Sequence, residues 1–291
     1  MLISEVSKVT GLTKKAIEYY VEQGLVFPSI LENGYRDFNE VQVERLNQIS
    51  VLRKVGLSTE EIKRVLADES GDTLQTLAVK KELDIRGEQA KKSILDKLAS
   101  GSSYSDISAE LQAIEAGKTI AEKLLEAFPG YYGRFICLHF ASFLNEPIKT
   151  DRQQLAYSQV ISFLDEVPPL DLPEDLQEYL IENTKTLGTR QITEMIQNVR
   201  ASLDDPEEFL SHNKEMLDQY LAYRQSDEYR ASPAYRLMSY MKEFNETSGY
   251  YDVFIPALKE LSPSYAEYHR QLELANEKML AQYPDLEKLN E

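Results

Sequence analysis

The sequence is poor in the residues that build disulfides, metal sites and phosphate-binding loops. Its 291 residues include one cysteine, three histidines and twelve glycines. The lone Cys137 excludes an intramolecular disulfide. The chain also lacks a glycine-rich phosphate loop, a nucleophile elbow and a Glu-x-x-His pair. These absences predict a protein that is not an enzyme and that needs no cofactor.

Long hydrophobic runs are absent as well. The longest apolar stretch, residues 135–144, is too short to cross a bilayer and contains His139. The first residues show no basic region followed by an apolar region, which is the pattern of a secretion signal. Together with the single cysteine, this predicts a cytoplasmic protein that has no membrane partner.

Acidic residues are in excess, and they are unevenly distributed. The formal net charge is -17, but residues 1–66 contain nine basic and nine acidic residues, so the whole excess lies in residues 67–291. Nucleic-acid affinity comes largely from lysine and arginine. A neutral N-terminal part can bind DNA if its cations share one face, and an acidic remainder, repelled by the duplex, would then orient the molecule.

Helical periodicity dominates the chain and predicts a mainly α protein. Gly11 ends a first helix, and Thr13 is placed to cap a second. Residues 25–38 contain the proline, asparagine and glycine of a small hairpin, or wing, with short extended segments expected around Val26 and Tyr35. Further helix starts are marked by capping residues at Asn39, Ser58 and Thr150.

These signals predict three regions. Residues 1–70 form a winged helix-turn-helix domain, residues 71–100 a long dimerisation helix or linker, and residues 101–291 an all-helical domain. Stops and starts predict seven or eight helices in the last region, after a hinge at Gly101. Because Gly87 falls on the seam of the long helix, the pattern alone does not favour a regular two-stranded coiled coil.

Residues 3–66 resemble the DNA-binding domain of the MerR family of regulators. The resemblance rests on the ordered segments Ile3-Ser4-Glu5-Val6, residues 11–20, Asn33-Gly34-Tyr35-Arg36 and residues 52–62. It implies a homodimer that binds double-stranded promoter DNA, with the following helix as the dimerisation helix. It also implies that a bound effector bends and underwinds the promoter, which acts indirectly on RNA polymerase.

Six residues are predicted to contact DNA. Thr13, Lys14 and Lys15 lie at a helix start, where free backbone N–H groups attract phosphate. The resemblance matches Lys15 and Arg36 to the DNA-contacting basic positions of the family. Glu18 stands where relatives commonly have arginine, so it either accepts a hydrogen bond from a cytosine amino group or pairs with a neighbouring cation. The predicted set is Thr13, Lys14, Lys15, Tyr19, Tyr35 and Arg36.

The C-terminal region carries 15 of the 18 tyrosines and eight of the ten phenylalanines. Aromatic walls with hydroxyl tips suit a pocket for a small organic molecule, and surplus carboxylates would favour a lipophilic cation. Aromatic residues at helical spacing also serve a plain core. The effector-binding candidates are Tyr131, Tyr132, Phe135, His139, Tyr235 and Tyr240.

Metal binding is not predicted. The resemblance places the cysteines of metal-sensing relatives near the end of the dimerisation helix, and this chain has none there. Cys137 and His139 lie two positions apart in an apolar helix, which favours packing. A second interpretation of the C-terminal region stays open, in which its acidic helices dock another protein rather than a small ligand.

Overall fold

A computed structural model describes residues 1–284, and it is mainly α, as the periodicity predicts. The chain divides into two compact units, Met1–Thr73 and Leu74–Glu291, which we name the head and the body. The turn at Gly101 lies inside the body. Within residues 1–284, every helix is too short or too polar to cross a bilayer.

The head is built from short helices and a small hairpin. Its elements are α1 (Ile3–Thr10), α2 (Lys14–Glu22), β1 (Ser29–Ile30), β2 (Arg36–Asp37), α3 (Glu40–Lys54) and α4 (Thr59–Ala67).

Local hydrogen bonds begin the helices of the head where the sequence predicts them. The Thr13 hydroxyl accepts from the Ala16 N–H at 3.1 Å, and the Asn39 side chain accepts from the Gln42 N–H at 2.9 Å. Ser58 caps α4 in the same way. Such caps satisfy backbone N–H groups that have no partner inside the helix.

Each helix of the head contributes at least one apolar residue to a single small core. Val26 lies in this core and not in a strand, because the hairpin begins only at Ser29. The strand predicted around Val26 was therefore misplaced by three positions, whereas the one predicted around Tyr35 lies next to β2, which begins at Arg36. The core includes Val6, Ile17, Phe38, Leu46, Ile49 and Ile62, all at most 1% exposed.

The elements of the body start with α5, whose first two residues belong to the head. They are α5 (Asp72–Ala99), α6 (Tyr104–Ala127), α7 (Gly130–Ala141), α8 (Asp151–Glu166), α9 (Glu174–Thr184), α10 (Thr189–Asp204), α11 (Pro206–His212), α12 (Lys214–Gln225), α13 (Asp227–Arg230), α14 (Pro233–Thr247), a π-helical turn (Tyr250–Phe254), α15 (Ile255–Leu261) and α16 (Pro263–Gln282).

Residues 101–284 contain eleven α-helices and the π-helical turn, so the predicted seven or eight was wrong. The difference comes from very short helices such as α11 and α13. Asp205 and Ser226 cap their starts, and they end after seven and four residues. Helices of this length show too little periodicity to be recognised from sequence.

The core of the body is formed mainly by α6, α7, α8, α10, α15 and α16, and it also takes in Val79 of α5. Cys137 lies at its centre, fully buried, with its thiol donating to the Ala121 carbonyl oxygen at 3.4 Å. Burial raises the pKa of Cys137 to about 12. The cysteine packs as a small apolar residue, as its apolar helix predicts.

A glycine allows α7 to approach the end of α6 closely. A methyl group on Gly133 would lie 1.4 Å from the Phe128 carbonyl oxygen, which is far inside contact distance. Because that oxygen belongs to the backbone, no side-chain rotation could make room. The junction of α6 and α7 therefore requires glycine at position 133.

Candidate nucleic-acid interface

The start of α2 presents basic side chains beside free backbone donors. Thr13 occupies the cap, and Lys14 and Lys15 follow in the first turn with exposed side chains. The first N–H groups of a helix and its positive dipole end both favour an anion. This end of α2 can therefore receive a phosphate oxygen.

Farther along α2, Tyr19 is exposed and Tyr20 is buried. The Tyr19 hydroxyl lies 3.3 Å from the Thr59 hydroxyl at the start of α4, and this contact fixes the direction of its ring. Glu18 is also exposed. The two interpretations of its carboxylate, a contact with a base edge and a pair with a neighbouring cation, both stay predictions.

The wing is a two-stranded antiparallel hairpin with Ser29 opposite Asp37 and Ile30 opposite Arg36. Gly34 turns the loop with φ +81, a conformation that residues with a Cβ rarely adopt. Tyr35, 63% exposed, follows at the tip, and Arg36 begins β2. The hairpin thus holds an aromatic ring and a guanidinium on a projecting loop.

Hydrogen bonds separate the structural cations of the head from the available ones. The Arg45 guanidinium donates to the Leu66 carbonyl at 3.1 Å, and that of Arg53 donates to the Leu57 carbonyl at 2.7 Å. Three cations of the head are predicted to contact DNA, namely Lys14, Lys15 and Arg36. Within residues 1–284, none of the three forms an ion pair with an acidic side chain.

Four of the six effector-binding candidates lie along α7, half-buried against the core of the body. Tyr131 contacts Phe135, and Phe135 stacks on His139, with ring centroids 6.2 and 6.4 Å apart. Burial, with a smaller contribution from Arg200, lowers the pKa of His139 to about 4. Burial raises the pKa of Tyr132 to about 12. At neutral pH this row of side chains is therefore uncharged.

The other two candidates, Tyr235 and Tyr240, lie on α14 and are more exposed. Tyr235 contacts Tyr229 at 5.6 Å between ring centroids. Among the residues that the structure describes, no ring contact joins either tyrosine to the α7 row. The six candidates thus occupy two places in the body.

No group of three or more histidine, cysteine, aspartate or glutamate side chains within residues 1–284 is arranged to hold a metal ion. His212 contacts the Glu208 side chain at 4.0 Å, and His269 contacts that of Glu273 at 3.0 Å. Each of these histidines meets a carboxylate one helical turn away on its own helix.

Comparison with known proteins matches the head. Residues 1–69 match the family described as MerR HTH family regulatory protein. The HTH-type transcriptional regulator CueR of Escherichia coli O157:H7 is 47% identical over 62 residues, which cover 21% of this chain and 46% of that protein. CueR of Yersinia pestis is 43% identical over 68 residues, covering 23% and 49%.

A protein of Haemophilus influenzae named "Probable heavy metal-dependent transcriptional regulator" is 41% identical over 68 residues, covering 23% of this chain and 53% of that protein. The matched segment thus spans about half the length of these relatives. No solved structure matches the chain.

Proposed function

Because residues 1–69 form a MerR-family helix-turn-helix domain, we propose that this protein is a transcriptional regulator that binds double-stranded promoter DNA. The observation that carries the proposal is the position of three head cations that form no ion pair within residues 1–284. Lys14 and Lys15 begin α2, and Arg36 lies on the wing. A helix start and a projecting hairpin offer two points of attachment to the phosphate backbone.

The proposal extends to assembly and mechanism. The regulator acts as a cytoplasmic homodimer paired through α5, and it distorts the promoter when an effector is bound to the body. RNA polymerase responds indirectly, because the altered DNA shape changes the alignment of the promoter elements. Light scattering tests the dimer, and footprinting with and without effector tests the distortion.

We further propose a small organic molecule as the effector. The body contains most of the aromatic residues, and three of the candidates, Tyr131, Phe135 and His139, form a continuous row on α7, while Tyr132 packs on Phe128. Heavy-metal dependence is stated in the name of the Haemophilus relative, whose match covers only 23% of this chain. This match therefore gives little reason to expect a metal site in the body.

DNA binding is tested by Lys15→Ala and Arg36→Ala, measured by fluorescence anisotropy on the DNA upstream of the gene that encodes this protein. Each substitution removes one phosphate contact, so affinity should fall roughly 5- to 10-fold at about 0.15 M salt. The slope of log affinity against log salt should fall by about one unit for each. Both changes should be similar on unrelated DNA, because phosphate contacts carry no sequence information.

The matched control is Lys149→Ala, which removes the same charge from an exposed position of the body. It should leave both affinity and salt slope unchanged. Equal effects of all three substitutions would mean that net charge alone governs the affinity, and the proposed interface would be wrong.

A further inference from the structure

Arg200 of α10 is a charged group without a charged partner. One Nη atom donates to the Ser142 hydroxyl, and the Nε atom is out of contact with solvent and has no acceptor within residues 1–284. No carboxylate in that part of the chain forms an ion pair with it. This is unexpected for a half-buried arginine in a protein with 49 acidic and 32 basic residues, because an arginine that loses contact with water is normally paired.

Other arginines show what an ordinary pairing in the body looks like. Arg236 contacts the Asp175 carboxylate at 2.5 Å. Arg270 contacts both carboxylate oxygens of Glu267, at 2.8 and 2.5 Å. Arg200, by contrast, retains hydrogen-bonding capacity, since a guanidinium has five N–H donors.

Two aromatic rings hold the Arg200 guanidinium in place. Its carbon lies 4.2 Å from the centre of the Phe143 ring and 5.6 Å from that of Tyr268. These cation–π contacts fix the plane of the fork without neutralising its charge. They also occupy the ring surfaces that a cationic ligand would need, which weighs against the lipophilic cation considered from the sequence.

The guanidinium lines an open cavity of about 490 Å³. This volume falls within the range of small-molecule sites. The walls combine the two rings with side chains that can donate hydrogen bonds. The polar lining includes Gln197, Ser264, Tyr268 and Gln271.

Besides Arg200, the charged residues that line the cavity are two carboxylates, and neither forms an ion pair with it. Glu267 lines the wall but is engaged by Arg270. Asp204 also lines the cavity, and within residues 1–284 it forms no ion pair with Arg200. His139, which contacts Tyr268 from the core side, is neutral at pH 7 because burial lowers its pKa.

We infer that this cavity binds a small organic carboxylate, whose two oxygens take the available N–H groups of Arg200 while its apolar part packs against Phe143 and Tyr268. A planar carboxylate matches the guanidinium fork because its two oxygens can accept two parallel N–H···O hydrogen bonds. Control of DNA binding by this ligand rests on the proposed function, whereas the binding itself does not.

The test uses the full chain and three probes with the same ring and different charge: benzoate, benzamide and benzamidine. Ligand-observed saturation-transfer NMR should show benzoate binding with a dissociation constant on the order of 1 mM. Benzamide should bind at least about 10-fold more weakly, because it lacks the charge that Arg200 would pair with. Absence of benzoate binding up to about 10 mM, or tighter binding of benzamidine, would overturn the inference.

Arg200→Gln should weaken benzoate binding by about 10-fold or more, and Arg190→Gln should not. Arg190 is the matched control because it lies on the same helix, 82% exposed, and contacts Glu194 at 3.5 Å. Since Arg200 also packs on Phe143, thermal melting must show that the variant is folded. If it is not, Arg200→Lys replaces it, and this variant should bind benzoate several-fold more weakly because it lacks the planar fork.

Unchanged benzoate affinity in a folded Arg200 variant would also overturn the inference. The assay contains no DNA, so its outcome is independent of the Lys15 and Arg36 test. Benzoate binding by a protein that ignores DNA would contradict the proposed function alone, and DNA binding without benzoate binding would contradict this inference alone.

Discussion

The head and the body differ in how far along the chain their hydrogen bonds reach. The longest side-chain contact of the head, between Tyr19 and Thr59, spans 40 residues, and the body has contacts that span more than 100. In the head, the polar contacts that begin helices join residues three apart, such as Ser58 and Glu61. In the body, the Gln153 amide donates to the Leu261 carbonyl, 108 residues away, and Ser262 donates to Glu146, 116 residues away. The head can therefore be recognised from short motifs, whereas the body depends on contacts that no local motif records.

Substitution at Gly133 should have the largest effect. It tests how strongly the stability of the body depends on packing between helices. Gly133→Ala forces a backbone shift at the junction of α6 and α7, and we expect it to lower the free energy of unfolding of the body by about 3 kcal/mol or more. Hydrogen exchange measured on peptides from the head and from the body would locate the loss.

Gly87→Ala is the matched control. Gly87 lies within α5, and a methyl group there would meet no atom of its own chain within 4 Å. Alanine should therefore stabilise the helix by about 0.5–1 kcal/mol. A loss of less than about 1 kcal/mol at Gly133 would mean that the junction can move, and that long-range packing constrains the body less than proposed.

Acid should weaken the body by an intermediate amount through His139. Its pKa is about 4 in the folded protein against 6.5 for the ordinary side chain, so the unfolded chain binds its proton first as the pH falls. The stabilisation is complete above pH 6.5 and is lost progressively toward pH 4. Linkage gives a loss of about 2 kcal/mol between pH 6.5 and 5.

His139→Phe isolates this contribution, because phenylalanine keeps a ring against Phe135 and Tyr268 but cannot be protonated. Denaturant unfolding of both proteins at several pH values measures the difference in slope. Parallel pH profiles of the wild type and the variant would show that His139 already gains a proton in the folded body.

Removal of a local cap should have the smallest effect. Ser58→Ala takes away the acceptor at the start of α4 and should destabilise the head by about 1 kcal/mol, while Ser58→Asp should preserve the cap. Hydrogen exchange in α4 is the measurement. An equal loss of protection from hydrogen exchange in peptides of the body would show that the effect of the cap is not confined to the head.

The parts of the fold that could be predicted are those with a local physical cause. Thr13, Asn39, Ser58 and Thr150 each cap a helix as their spacing predicts, because a cap needs only the next three residues. The short helices of the body could not be predicted in the same way, since α13 is a single turn between Ser226 and Ala231.

The candidate sites show the same limit. Lys15 and Arg36 could be proposed from the head's motif; Lys15 is exposed and Arg36 is half-buried, and their contact with DNA stays a prediction. The effector candidates were chosen for composition, and the structure separates those on α7 from those on α14. Arg200 was missed because its environment comes from Ser142, Phe143 and Tyr268, each more than fifty residues away.

The burial of Cys137 has a practical consequence. Only the thiolate reacts with alkylating reagents, so the side chain stays inert while the body is closed. Each labelled molecule then records one opening event, and the labelling rate measures how often the interior is transiently exposed. The alkylation rate of Cys137 thus reports how often the core of the body opens, and it can be measured without introducing any substitution.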